Sequence, residues 1–182
     1  CAKMVLDDII DALTRPIEPS EINADYSPKK AGPDLVKITG DSFESAYERF
    51  YQMYMDNDWG DGLPLVPPTR YNVDQMLKAT SLSPDTKLGT IQVHDGSADL
   101  VHVTVEKVAV NAVMAGARPE YFPVIIAAME GLSDRGFSSH VFSSDGSFNL
   151  LIAVSGPIAK KINMNSGTGL FGHGWRANNT IG

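Results

Sequence analysis

The sequence predicts an α/β or α+β domain, a mixed sheet flanked by a helical hairpin, preceded by a helix that belongs to another module. Three observations carry this. Apolar residues recur at helical spacing across residues 105–132, two β-rich runs flank Asp95-Gly96, and a proline-dense polar stretch at 14–34 isolates the first amphipathic segment. At 182 residues, 43% of them hydrophobic, the chain is long enough to bury a core. A formal net charge of -7 without a Lys/Arg cluster argues against a counterion-driven grip on nucleic acid, so no nucleic-acid partner is expected. The apolar run "YFPVIIAAM" is far shorter than the roughly 20 residues that cross a bilayer, so no membrane association is expected. With Cys1 as the single cysteine there is neither an internal disulfide nor a thiolate cluster, and the cytoplasm is the expected compartment.

In chain order, "CAKMVLDDIIDALTRP" starts with helical periodicity already running: Met4, Val5, Leu6, Ile9, Ile10 and Leu13 form a stripe over residues 3–14. Residues 1–16 are read as the terminal helix of a preceding domain, 17–40 as a linker and 41–182 as the main domain. A chain that opens on Cys1 fits a fragment boundary, a lipid-bearing cysteine or a nucleophile exposed by self-cleavage; the immediate amphipathic stripe favours the first. Asp41, with Glu44 three residues on, is the expected N-cap of a helix whose face is Phe43, Ala46, Tyr47, Phe50 and Tyr54. "MDNDWGDGLPLVPPT" is a loop, because its glycines and prolines cannot continue a helix. "YNVDQMLKAT" is a short helix with Val73, Met76 and Leu77 inward. "KLGTIQVHD" and "ADLVHVTVEK" form a hairpin, with His94 and His102 on its solvent face.

From Thr104 onward, Val105, Val108, Ala109, Ala112 and Val113 give one apolar helix face that stops at Gly116. Pro119 opens the second arm of the hairpin, with Val124, Ile125, Ala128, Met129 and Leu132 inward. Phe148 to Val154 is expected to be a central strand that breaks at Ser155-Gly156-Pro157.

The candidate site lies in "SGTGLFGHGWRANNTIG", where five glycines, His173, Arg176 and the Asn178/Asn179 pair fall within residues 166–182. The glycines match neither a Walker loop nor a dinucleotide fingerprint, so a nucleotide is not the expected ligand. They read instead as a loop that runs into a helix and lets its backbone approach a small ligand. Arg176 has the planar donors that suit a carboxylate or phosphate, with Asn179, Ser166, Gly167 and Gly169 beside it as substrate-binding candidates. His173 is the candidate for proton transfer and Asn178 for orienting an amide or oxyanion; these two are the catalytic candidates. Trp59 and Asp61 are expected to form one wall of the site. Asn111, polar on an otherwise apolar helix, is the remaining binding candidate. The spacing of Asp56, Asp58 and Asp61 does not fit a calcium loop, and no metal or cofactor is assigned.

The segments "WGDGLPLVPPT", "EKVAVNAVMAGARPEYFPVIIAAMEG" and "GPIAKKINMNSGTGLFGHGWRANNTIG" resemble a poorly characterised bacterial family that occurs beside, or fused to, the UGSC-motif selenoprotein-like family. "AKMVLDDIIDALTRP" is similar to the final helix of the UGSC-type domain itself, which makes Cys1 an ordinary fragment boundary. Members of the family continue past "NNTIG" along a helix, so the resemblance implies truncation at the C-terminus. The UGSC family in turn resembles the thiol or selenol subunits of glycine and proline reductases. The resemblance implies the substrate-binding and catalytic half of a small-molecule enzyme, with thiol- or selenol-linked redox or lyase chemistry on a carbon–heteroatom bond of an anionic substrate. Its redox residue would lie on a UGSC-like domain or subunit, in an oligomer. The reading from a different class is a non-catalytic binding or assembly subunit.

Overall fold

A computed structural model describes residues 35–92, 100–134 and 150–181. The chain divides into two units, residues 1–37 and 38–182. The expected helix at 3–14, the linker up to residue 34, His94, the Asp95-Gly96 turn and Phe148 lie outside the described residues.

Helix α1 spans Phe43–Asp56, and it starts one residue later than Asp41 would set it. Ser42 is the N-cap: its hydroxyl accepts from the Ser45 backbone N–H at 3.3 Å, and the Ser45 hydroxyl accepts from the Ser42 N–H at 3.2 Å. Two short hydroxyls satisfy two orphan donors reciprocally. Of the expected core face only Phe50 is buried, while Phe43 is 73% exposed. The other aromatics form a ladder, Phe43–Tyr47–Phe50–Tyr54–Trp59, with adjacent ring centroids 4.9–6.4 Å apart. The tyrosine hydroxyls fasten the following loop along the helix. Tyr51 donates to the Gly62 carbonyl and Tyr47 to the Leu65 carbonyl.

Thr69 caps α2 (Arg70–Leu77) by accepting from the Asn72 N–H at 3.2 Å, and Val73 and Met76 are buried as the spacing predicts. Strands β1 (Lys87–Gln92) and β2 (Leu100–Thr104) pair antiparallel, with an irregularity between Lys87 and Gly89. Val103 is buried and its neighbour His102 is exposed, the alternation that a one-faced hairpin requires, while Val101, on the same face as Val103 nearer the strand's start, is 40% exposed. Gly89 has a packing reason: a Cβ there would lie 2.1 Å from the Ser133 Cβ, so only glycine lets the strand approach the end of the second hairpin helix.

Helix α3 (Val105–Met114) follows β2 directly, with Thr104 as its cap, and buries all five residues of the expected face. A 3-10 turn at Pro119–Tyr121 leads into α4 (Phe122–Leu132). All five residues of the expected face, Val124, Ile125, Ala128, Met129 and Leu132, are half-buried, and the fully buried positions are Phe122 and Ile126. "FPVIIAAM" is apolar on every side, so its periodicity carries no phase, and packing against the two parts of the core decides which residues are most buried.

Residues 150–154 form no strand, and Leu151 is 77% exposed. The described residues combine helices with a sheet, as the expected α/β or α+β class requires, and the described sheet is the two-stranded antiparallel hairpin. The chain does break where expected: Gly156, at φ 86°, precedes α5 (Pro157–Lys161), and α6 (Arg176–Ile181) closes the described chain. No helix among the described residues is long and apolar enough to cross a membrane.

The core has two parts. One gathers α2, β2, α3 and α4 around Phe122. The other places Ile162 and Ala177, from the C-terminal segment, against Tyr121. Ala117 and Ile125 pack against both.

Candidate functional site

The loop ahead of α6 is organised by a residue that the sequence did not single out. The Asn165 backbone N–H donates to Asn178 Oδ1 at 2.9 Å, and its side-chain amide donates to the Gly169 carbonyl. Residues 13 apart in sequence are thereby clasped, and the intervening chain folds on itself through Leu170 N–H to Gly167 O at 3.1 Å and Gly172 N–H to Gly169 O at 2.7 Å. Gly174 sits inside the clasp at φ 56°, where a Cβ would come within 2.7 Å of the Asn165 Cβ and 3.0 Å of the Asn178 Cγ. Asn178 therefore serves as the acceptor that closes the loop.

Arg176 lies at the base of this loop on an exposed surface. Its Nε donates to the Gly116 carbonyl at 2.9 Å. Gly116 turns at φ 77° after α3, and the position its Cβ would occupy lies 3.7 Å from Val66 Cγ2 and 4.0 Å from Arg176 Nη2. Val66 in turn donates its N–H to the Met114 carbonyl at 3.1 Å. Three separate segments, the end of the 57–69 loop, the stop of α3 and the start of α6, thus meet at Gly116. Arg176 forms no ion pair among the described residues. One edge of its guanidinium is held by a neutral carbonyl, and no carboxylate among the described residues pairs with its positive charge.

The other candidates are spread more widely. His173 is exposed and makes no hydrogen bond among the described residues, and Ser166, Gly167, Gly169 and Asn179 are also exposed. Trp59 is 58% exposed and packs edge-on against Tyr54 at 5.5 Å, and Asp61 Oδ1 accepts from the Leu63 N–H at 2.9 Å, a local turn cap. Trp59 is anchored to α1, and the part of its loop that meets Gly116 is Val66. Asn111 is exposed on α3 and donates back to the Lys107 carbonyl at 2.8 Å, so it forms no wall with Arg176. His102 is exposed on β2, as expected of a solvent-face strand residue.

Two shallow, open concavities among the described residues lie elsewhere. One is an open groove of about 340 Å³ between α2, Pro119 and α5, lined by Lys78, Glu120 and Lys161 among others. A second runs between α4 and residues 152–155. Among the described residues, no three His, Cys, Asp or Glu gather in a way that could hold a metal ion. The Arg176 site is thus a surface junction built from a preformed loop.

Asn165 is the residue that sequence reasoning missed, and Gly116 and Gly174 were read without the contacts they make. The glycines were legible as turns. The partner of Asn165 was not, because a contact across 13 residues of irregular chain leaves no period. Comparison of the chain with family models, with curated proteins and with solved structures returned no match.

Proposed function

We propose that the Arg176 junction binds the anionic group of a small molecule, and that the chain is the substrate-binding and catalytic half of a bacterial enzyme acting on a carbon–heteroatom bond. The observation that carries the reading is the Arg176 guanidinium, oriented by Nε on the Gly116 carbonyl and without a carboxylate partner among the described residues. A fixed, permanently charged fork suits a carboxylate or phosphate. The glycine-rich loop beside it leaves backbone open to the ligand. In this proposal a thiol or selenol pair on a UGSC-like partner supplies two electrons and is oxidised to the bridged form. The carbon–heteroatom bond breaks, carbon gains a hydrogen and the departing heteroatom takes a proton, for which exposed His173 is the donor.

The test is titration of the full chain with malonate and with inorganic phosphate, followed by the Arg176 Nε–H resonance. Saturable binding that weakens by about five- to a hundredfold in Arg176→Lys, the equivalent of roughly 1–3 kcal/mol for charge-assisted bonds, supports the reading. Equal weak binding in both proteins overturns it.

A second reading, a non-catalytic assembly subunit, is favoured by the same loop's apolar surface: Phe171 is 85% exposed, Trp175 59% and Leu170 51%. Absence of saturable anion binding together with a stable complex of this chain favours that alternative.

A further inference from the structure

The two open grooves adjoin, because Pro123 and Ile158 line both of them. Their chemistry differs. The groove of about 340 Å³ is lined by Lys78 at the end of α2, Lys161 in the last turn of α5 and Glu120 in the 3-10 turn, together with the Gln75 amide. None of these three charges is in an ion pair among the described residues, so each is open to a ligand. Two lysines against one glutamate leave this end with a single surplus positive charge. The second groove, of about 500 Å³, is walled by Val124, Ala127 and Ala128 of α4 and by Ile152 and Val154 opposite them. Among its described lining residues only Ser155 has a polar side chain, and none is charged or aromatic. Both volumes fall within the range of small-molecule sites, roughly 300–1,000 Å³.

We infer that the joined grooves bind an aliphatic monocarboxylate, with its head group at Lys78 and Lys161 and its chain along the arm between α4 and residues 152–155. The head group needs donors and positive charge, which the two ammonium groups supply, and one surplus charge suits a monoanion better than a phosphate dianion. The chain gains in proportion to the apolar area that the aliphatic walls take out of water. Because the grooves are open, one side of the chain stays hydrated and the gain per methylene falls short of full burial. Neither lining includes Arg176 or any residue of the 165–176 loop, so this ligand leaves the Arg176 site uncovered and is separate from the anion proposed there.

The experiment is calorimetric titration of the full chain with butanoate, hexanoate, octanoate and decanoate below their micelle thresholds, and with 1-octanol as the uncharged counterpart. The expected result is saturable binding that tightens by about two- to fourfold for each added methylene, fourfold being the limit of full burial. Lys78→Met/Lys161→Met is expected to weaken octanoate by about three- to tenfold and to leave 1-octanol unchanged. Ala127→Asp, at an exposed position of α4, is expected to flatten the dependence on chain length. Arg176→Lys should change none of these affinities, whereas it weakens malonate if the Arg176 junction holds an anion. Circular dichroism confirms that each variant is folded, and the native series decides by itself if one is not. Binding that fails to saturate, or an affinity that is independent of chain length in the native chain, overturns the inference. So does a chain-length dependence that survives Ala127→Asp, or octanoate binding that is lost with Arg176 and not with the lysine pair.

Discussion

Asn178 illustrates how a side chain chosen for its chemistry acquires a different task from its neighbours. Its Oδ1 accepts the Asn165 N–H, so Asn178→Ala leaves that donor without its partner while Asn178→Asp keeps an acceptor in place. The expected outcome is a loss of about 1 kcal/mol for Ala, the usual net worth of such a bond, and a smaller loss for Asp, measured by urea denaturation. Gly174→Ala is expected to cost more than Asn178→Ala, at least about 1–2 kcal/mol for the left-handed backbone alone, with the close approach to Asn165 added. Equal stability of Gly174→Ala and the native chain would show that the clasp does not form. Ser133 makes the opposite case. Its Oγ is buried without a hydrogen-bond partner among the described residues, so Ser133→Ala removes a desolvated hydroxyl and is expected to be neutral or slightly stabilising in the same measurement.

Helix α1 shows how an element can be legible and yet be placed differently than its pattern suggests. Its existence and its last turn follow from the sequence, but its aromatic face buries only Phe50, since tyrosine hydroxyls can fasten a loop as readily as rings can fill a core. The serine pair at its start is the local device that sets its boundary. Ser42→Ala is expected to cost about 1 kcal/mol, as N-cap losses do, and to fray the first turn in amide hydrogen exchange. Glu44 lies in that turn, and hydrogen bonding from its own backbone N–H, then from the Ser42 hydroxyl, holds its carboxyl below the ordinary glutamate value. A lowered folded-state value means that the ionised form is the favoured one. The contribution is present above the unfolded-state range and is lost as pH falls through the folded-state value. An NMR titration should place Glu44 below the other exposed glutamates, and Ser42→Ala should return it toward them. No change on that substitution would count against the hydrogen bond.

For the unit of residues 38–182, the two parts of the core share Ala117 and Ile125, so they are expected to unfold together. Phe122 is fully buried at the centre of the larger part. Phe122→Ala is expected to lower stability by about 3–5 kcal/mol, the usual cost of emptying an aromatic site. The C-terminal segment should lose its protection in the same transition, because Ala177 and Ile162 pack on Tyr121, the residue before Phe122. Fluorescence of Trp175, which sits in that segment, and far-ultraviolet circular dichroism should then report coincident urea midpoints. Separate midpoints would mean that α5 and α6 form an independent layer.

Where a local period or a stop signal was strong, the sequence alone was sufficient. The α3 face of Val105, Val108, Ala109, Ala112 and Val113, the α2 pair of Val73 and Met76, the hairpin pairing and the break at Gly156-Pro157 are all as the pattern requires. Each depends on residues within a turn or two of one another, where spacing translates directly into geometry. Tertiary packing decided the rest: the rotation of the uniformly apolar α4, the irregular path of residues 150–154, and the meeting of Val66, Gly116 and Arg176. The physical reason is the same in each case. A contact between segments 50 or 60 residues apart, such as Arg176 Nε on the Gly116 carbonyl, leaves no trace in either local pattern, because the backbone carbonyl that receives it is common to every residue.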